Sequence, residues 1–262
     1  MTRPTWRLLR DGGLPGARNM ARDVALLESV SENRGAPTLR LYGWSPPCLS
    51  LGRHQGVNAA DLDFCAEHGI EVIRRPTGGR ALLHHLELTY SLLAPLGKGP
   101  IPRHVQEAYR LICQPLVHAC RSLGVDAELT SGEVNLQLPG PASTVPCFQA
   151  PAGGEVVVAG RKLIGSAMRS HLGAILQHGA ILLDWDSEMQ AGSMGLDNDR
   201  LLRPTITTFA EQLGRAITRT EIERAIVEAF TSSLGVELER GEMTEFELDR
   251  EQDLIADYSV GA

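Results

Sequence analysis

Three short stretches of the chain gather the residue types that chemistry needs. In RRPTGGRALLHHLELTYS, residues 74–91, two arginines enter the turn Pro76-Thr77-Gly78-Gly79, and Arg80 leads out of it toward His84-His85. Proline fixes one backbone angle, and paired glycines permit positive φ and a close approach of backbone to ligand. A glycine turn flanked by cations can cradle a polar headgroup or a carbonyl oxygen; an ordinary hairpin loop fits the same residues equally well. Cys147 stands in TVPCFQAP, a proline-bounded segment. A thiolate is the reactive form of cysteine, and a neighbouring cation lowers the thiol pKa. Lys162, just after the tight turn Ala159-Gly160-Arg161, is such a cation if the loop folds over it. The plainer readings are a loop cysteine packed beside Phe148 and a solvent-exposed turn lysine. Gly165-Ser166-Ala167 puts three small residues in one strand, room for an extended acyl chain or for a tight sheet-to-helix contact. His178-Gly179 interrupts an apolar strand, where a lone histidine reads as a satisfied core residue rather than a catalyst.

The segments that must position these groups follow from periodicity. Strands are predicted at Trp6–Leu9, Thr38–Tyr42, Leu49–Leu51, Ile70–Ile73, Leu88–Leu93, Glu155–Val158, Lys162–Met168 and Ala174–Leu183. Asp11-Gly12-Gly13 reads as a turn after the first strand. Met20, Val24, Leu27 and Val30 form a helical stripe over Ala17–Val30, and Asn58 is the predicted N-cap of a helix through Ala60–Glu67 ending at Gly69. Arg103–Leu123 is the longest helical pattern, with Pro115 expected to kink or break it. Residues 130–154 and 186–203 read as loops. Beyond them come a helix at Thr205–Leu213, a short strand at Val236–Leu238 and two capping boxes, Thr220-x-x-Glu223 and Thr244-x-x-Glu247.

Bulk properties narrow the function. The chain has 262 residues, 43% hydrophobic and 22% charged, ordinary for a globular protein with ample core material. Its net charge of −7 argues against general nucleic-acid binding, although Arg74, Arg75, Arg80, Arg161, Lys162 and Arg169 can form a local basic patch. No run approaches the roughly 20 apolar residues of a membrane span, and the N-terminal residues lack the apolar core of a secretory signal, so a cytoplasmic protein is expected. The five cysteines form no CxxC pair, and Cys113 and Cys120 sit seven apart in a helical pattern as small core residues. There is no GxxxxGK[ST], GxSxG or HExxH, and His84-His85 has no third ligand at metal spacing, so no metal is expected.

With RRPTGGRALLHHLELTYS, GRKLIGSAMR (residues 160–169) and LQHGAILL (176–183) in order, the chain resembles the biotin/lipoate protein ligase and lipoyl/octanoyl transferase superfamily. NMARD (19–23) and SLGRHQ (50–55) extend the likeness over nearly the whole length. Within it, the chain is most similar to cysteine-dependent octanoyl-[acyl carrier protein]:protein N-octanoyltransferases of the LipM type. The turn reads Gly78-Gly79-Arg80 where ATP-using ligases usually carry a third glycine, and Pro146-Cys147-Phe148 precedes the GRK hairpin. The resemblance implies an α/β (α+β) fold, a mixed sheet flanked by helices. It implies one catalytic domain over 1–262, with a core at about 1–203 and a small helical C-terminal appendage at 204–262. It implies Cys147 as acyl-thioester nucleophile and Lys162 as the residue that lowers its pKa. Substrate contacts would come from Arg75, Gly78, Gly79, Arg80, His84, Gly165, Ser166, Ala167, His178 and Gly179. The donor would be octanoyl-acyl carrier protein, with Arg74, Arg75 and Arg80 guiding that acidic carrier, and the acceptor a lysine of a lipoyl-accepting protein such as glycine cleavage H protein. No cofactor is implied. An ATP-dependent lipoate ligase and a non-catalytic acyl- or carrier-binding protein are the alternatives.

Overall fold

The computed structural model describes residues 3–131 and 154–259. Its elements are, in order, β1 (Thr5–Leu14), α1 (Gly16–Ser31), β2 (Thr38–Trp44), β3 (Cys48–Leu51), α2 (Leu62–Glu67), β4 (Glu71–Arg74), β5 (Leu82–His84) and β6 (Glu87–Pro95). Then come α3 (Val105–Ser122), β7 (Glu128–Leu129), β8 (Val156–Val158), β9 (Arg161–His171), β10 (Ala174–Leu182) and α4 (Ser187–Gly192). The C-terminal part holds α5 (Phe209–Leu213), α6 (Arg219–Leu234), β11 (Glu237–Arg240) and α7 (Glu245–Leu254). Eight strands form one mixed sheet in the order β11-β1-β2-β6-β10-β9-β8-β7, and three form a small sheet, β4-β3-β5. This is the expected architecture of a large mixed sheet flanked by helices.

Period-two alternation sorts the main sheet onto two faces. Trp6 and Leu8 of β1, Leu39 and Leu41 of β2, and Leu88, Tyr90 and Leu92 of β6 join Ile112, Leu116, Ile226 and Phe230 of α3 and α6 in the principal core. The other face packs Leu9 and Leu93 against Leu26, Leu27 and Val30 of α1. On that second face the small sheet lies beside α1: Cys48 and Ile73 pack on Met20, and Leu82 packs on Ala180 and Leu182 of β10. The small sheet's outer side, with Leu49, Leu51 and Leu83, is closed by Cys65 of α2 and Met189 of α4.

Several local expectations are corrected. Asp11-Gly12-Gly13 is not a turn after a strand but part of β1, whose pairing with β2 slips between Arg10 and Gly13. The helix expected at Ala60 begins at Leu62, capped by Asp61, whose carboxylate accepts from Phe64 N. The glycine turn does not close a hairpin, because β4 and β5 both pair with β3 and not with each other. Pro115 sits inside an uninterrupted α3. The loop expected over 186–203 contains α4, capped by Asp186. The first capping box is Thr218 with Glu221, not Thr220 with Glu223, while Thr244 with Glu247 is as read. The C-terminal stretch holds α5, α6 and α7, and the strand expected at Val236–Leu238 is β11, which joins the main sheet in parallel beside β1.

The corrected cap is directly testable. Thr218→Ala should cost about 1 kcal/mol in urea unfolding, whereas Thr220→Ala, on the exposed first turn, should stay within about 0.5 kcal/mol.

Candidate active site

The small sheet meets β10 on one face of the main sheet, and the register of β9 and β10 shows which side chains share that face. Gly165 stands opposite Ala180 and Ala167 opposite His178, so these four share a face. It is the face that carries Leu82 of the small sheet. Gly165 and Ala167 are only half-buried although they lie inside a strand of the main sheet.

Lys162 reaches this face of the sheet through an irregularity. Val156 pairs with Ile164, and Val157 pairs with Lys162, so β9 carries one extra residue against β8. Leu163 and Ile164 consequently both enter the principal core. Lys162 is turned to the opposite face, that of Gly165 and Ala167. A β-bulge that re-aims a side chain beside a site is a recurring device. Lys162 is 1% exposed, and its Nζ lies 2.7 Å from Glu155 Oε1. The reading of a solvent-exposed turn lysine is thereby excluded. The turn itself is tight, with Ala159 and Gly160 both at positive φ, the conformation of a two-residue hairpin loop.

The glycine turn is fixed from below by Arg75. Its guanidinium donates to Gly78 O at 2.9 Å, Arg80 O at 2.7 Å and Ser50 O at 2.8 Å, and only 6% of the residue is exposed. Arg75 is thus a clamp on the loop, not a cation offered to a carrier. Gly79 needs its glycine: its φ is +98°, and a Cβ would meet the Arg75 guanidinium. Gly78 is exposed with open space around it.

Thr77 anchors the turn to the main sheet. Its hydroxyl lies 2.7 Å from His178 Nε2, and His178 Nδ1 lies 3.2 Å from Asp23 Oδ2. Asp23 is fully buried on α1. It also accepts from Arg40 Nη1 at 2.7 Å, Ser91 Oγ at 2.7 Å and Tyr42 OH at 3.0 Å. Burial alone would raise its pKa, but the Arg40 charge and the His178 and Ser91 hydrogen bonds outweigh burial and hold it below the usual carboxylate range. This contribution to stability is present above the unfolded pKa of about 3.9 and is lost as pH falls through the lower folded value. Arg40 is completed by Asp11 Oδ2 at 2.7 Å and Asn19 Oδ1 at 2.7 Å.

The structure places other expected contacts elsewhere. His84 stacks on Trp44 with ring centroids 3.9 Å apart, and its nitrogens face Ser50 Oγ and Glu87 Oε1. Burial lowers its pKa, so the ring is a neutral structural group. Ser166 and Gly179 are register partners on the opposite face of the sheet, against Tyr90. Ser166 Oγ is 2.7 Å from Tyr90 OH, and a Cβ on Gly179 would sit 2.7 Å from the Tyr90 ring. For these two, the tight sheet-to-helix alternative holds. Burial pushes the Cys113 and Cys120 thiols up to about 12, which fits the expected core role. Cys147 lies outside the described residues. The segment that carries it departs from Thr130 and returns at Gly154, and Gly154 N donates to Thr130 O at 3.1 Å. Glu155, the partner of Lys162, follows at once.

Sequence reasoning missed Asp23, Arg40 and Glu155 as site-shaping groups. The available signal was polarity out of place. Asn19, Arg22 and Asp23 interrupt an apolar helical stripe, and Arg40 sits between Leu39 and Leu41 in a buried strand. Among the described residues, no group of three or more His, Cys, Asp or Glu side chains is placed to hold a metal ion, and no helix is long and apolar enough to cross a membrane.

Residues 15–231 match the family model of the lipoyl protein ligase A/B catalytic domain. The chain is 41% identical to the octanoyltransferase LipM of Kyrpidia tusciae, covering 97% of this chain and 96% of that protein. It is 37% identical to the octanoyltransferase LipM of Bacillus subtilis, covering 95% and 93%. Among solved structures, lipoate-protein ligase A bound with ATP superposes with a TM-score of 0.78 at 24% identity, over 96% of this chain and 94% of the other. The bipartite lipoate protein ligase of Thermoplasma acidophilum, studied with its E2 lipoyl domain, gives 0.76 at 22%, over 97% and 92%. These two show a shared fold.

Two substitutions test the geometry. Glu155→Gln leaves a buried ammonium without its carboxylate, and breaking such a pair costs about 3–5 kcal/mol. The loss is read by urea unfolding at pH 7, and an unchanged unfolding free energy would show that the pair does not support the fold. Gly179→Ala should destabilise by about 1–3 kcal/mol through overpacking against Tyr90. An unchanged thermal midpoint would return Gly179 to its expected substrate contact.

Proposed function

Because the chain belongs to the lipoyl protein ligase A/B catalytic domain family, we propose that it is an octanoyltransferase of lipoate biosynthesis. The enzyme moves a medium acyl group from a thioester donor to a lysine of a lipoyl-accepting protein. Octanoyl-acyl carrier protein is the donor, and a protein such as glycine cleavage H protein is the acceptor. The E2 lipoyl domain studied with the Thermoplasma ligase is a partner of the same kind. The observation that carries the reading is the placement of Lys162: it is buried against Glu155 on the sheet face of Gly165, Ala167 and Ala180, a face of small side chains. That suits an extended apolar chain with a reacting carbonyl at one end.

The chemistry proceeds in two steps. Cys147 thiolate attacks the thioester carbonyl, the carrier's thiolate departs and takes up a proton, and an octanoyl-enzyme remains. The neutral ε-amine of the acceptor lysine then attacks that thioester. It loses a proton, Cys147 thiolate leaves, and an amide forms. Thioester exchange is nearly balanced in free energy and aminolysis of a thioester runs downhill, so no nucleotide is required. Lys162, steadied by Glu155, supplies the positive charge that favours the thiolate. Backbone N–H groups of Gly78, Gly79 and Arg80, or of Gly165 and Ala167, are the candidate donors to the tetrahedral oxyanion, and one such donor is worth about 10²–10³ in rate. His178 and Thr77 hold the turn in register with the floor.

The test is mass spectrometry of the intact protein after incubation with octanoyl carrier protein and no nucleotide. A hydroxylamine-labile octanoyl adduct is expected on the wild-type chain, and Cys147→Ala should abolish both the adduct and transfer to the acceptor. Transfer that requires ATP and free acid, and survives replacement of Cys147, would instead make the protein a ligase acting through an acyl-adenylate.

A further inference from the structure

An acidic chain must present some positive surface if an acidic protein is to deliver its acyl group, and the cations named from sequence divide sharply on this point. Arg161 is paired with Glu211, and Lys162 with Glu155. Arg75 is buried under the glycine turn. Among the described residues, Arg80 and Arg169 are half-exposed, and Arg53, in the neighbouring loop, is exposed. Gln55 N donates to Gly52 O at 2.9 Å, which closes a four-residue turn with Arg53 and His54 at its tip, both exposed. That turn is rigidly built. Gly52 N donates to Gln55 Oε1 at 3.2 Å, and the Arg74 guanidinium braces it from inside by donating to the carbonyls of Gly52 and Gln55.

This turn is also joined to the glycine turn. Arg53 N donates to Thr77 O at 2.9 Å. Gly52 lies so close to Gly79 that a Cβ would overlap the Gly79 carbonyl. The stretches 52–60 and 72–86 themselves carry no acidic residue, and Asp186 comes to 3.7 Å from His85. The flanking carboxylates are engaged, Glu71 by Gly16 N at 2.6 Å and Glu87 by Thr89 Oγ1 at 2.7 Å. Asp61, Glu188, Asp197 and Asp199 line a separate cleft between α2 and α4, on the outer side of the small sheet, and Asp63 and Glu67 of α2 are exposed.

We propose that the Gly52–Gln55 turn, with Arg53 at its tip and Arg74 behind it, is the landing surface for the acidic carrier protein that delivers the acyl thioester to the site. This rests on the transferase reading and adds the surface that receives the donor. A charge at the rim of an interface acts through encounter rate and salt dependence and leaves the chemical step alone. Its removal should therefore weaken delivery by the carrier without touching a donor that has no protein attached.

The experiment is octanoyl-enzyme formation by the full chain and by Arg53→Glu, with octanoyl carrier protein and with octanoyl-pantetheine, a neutral small thioester. With the carrier, the variant's KM should rise about tenfold at low salt. The difference should vanish near 1 M salt, where the Debye length is about 3 Å. With octanoyl-pantetheine the two proteins should react alike. An unchanged KM for the carrier, an equal loss with both donors, or an effect confined to the acceptor protein would each overturn the proposal. Failure of the wild-type chain to load from either donor would instead sink the transferase reading itself.

Discussion

One buried carboxylate holds the architecture of the site together. Asp23 is enclosed on α1, and the four groups that satisfy it come from three separate strands: Arg40 and Tyr42 on β2, Ser91 on β6 and His178 on β10. A charge taken out of water costs several kcal/mol unless its partners are well placed. Helix and sheet therefore have little freedom to slide relative to one another. His178 carries the constraint onward to Thr77, so the glycine turn is referenced to the main sheet through a side chain as well as through the small sheet. A site built across two sheets needs such a tie, because the apolar contact of Leu82 with Ala180 and Leu182 is non-directional and sets no register.

Backbone carbonyls supply the second tie. Arg75 holds three of them, and Arg74 holds two more in the adjoining turn. A guanidinium presents five donors in a fixed fork. Two consecutive arginines can thus replace the hydrogen-bond ladder that a loop lacks. The pair looks like a basic patch in the sequence. In the fold it is a scaffold for loops that meet no strand partner, and the steering charge falls to a neighbouring turn.

Strands and long helices were legible because their evidence is local. Alternation at Thr38–Tyr42 and the stripe at Ala17–Val30 depend on nearest neighbours alone. Pairing was less so, since the β4-β3-β5 order puts β3 between two segments that are neighbours in sequence, and nothing in residues 70–85 announces that insertion. Buried polar partners were harder still. Asp23 and His178 are 155 residues apart, and neither residue type by itself says that it will be paired. The helix caps missed by two or three residues, Asp61 for Asn58 and Thr218 for Thr220, show the ordinary ambiguity between adjacent capping side chains.

The two small-residue motifs show where reading a motif as a unit breaks down. GSA at 165–167 and HG at 178–179 both look like ligand-lining runs, yet successive strand residues face opposite ways. Gly165, Ala167 and His178 share the face turned toward the small sheet. Ser166 and Gly179 are fitted under the Tyr90 ring. Each motif serves two surfaces at once, the side of the small sheet on one face and close packing against helix α3 on the other. The bulge at Leu163 completes the pattern. Without the extra residue, strict alternation would drive Lys162 into the apolar core beside Ile164, and the Glu155 carboxylate could not reach it. A single inserted backbone unit therefore decides which face of the sheet the cation takes, and a count of residues along β9, rather than any side-chain type, sets its place.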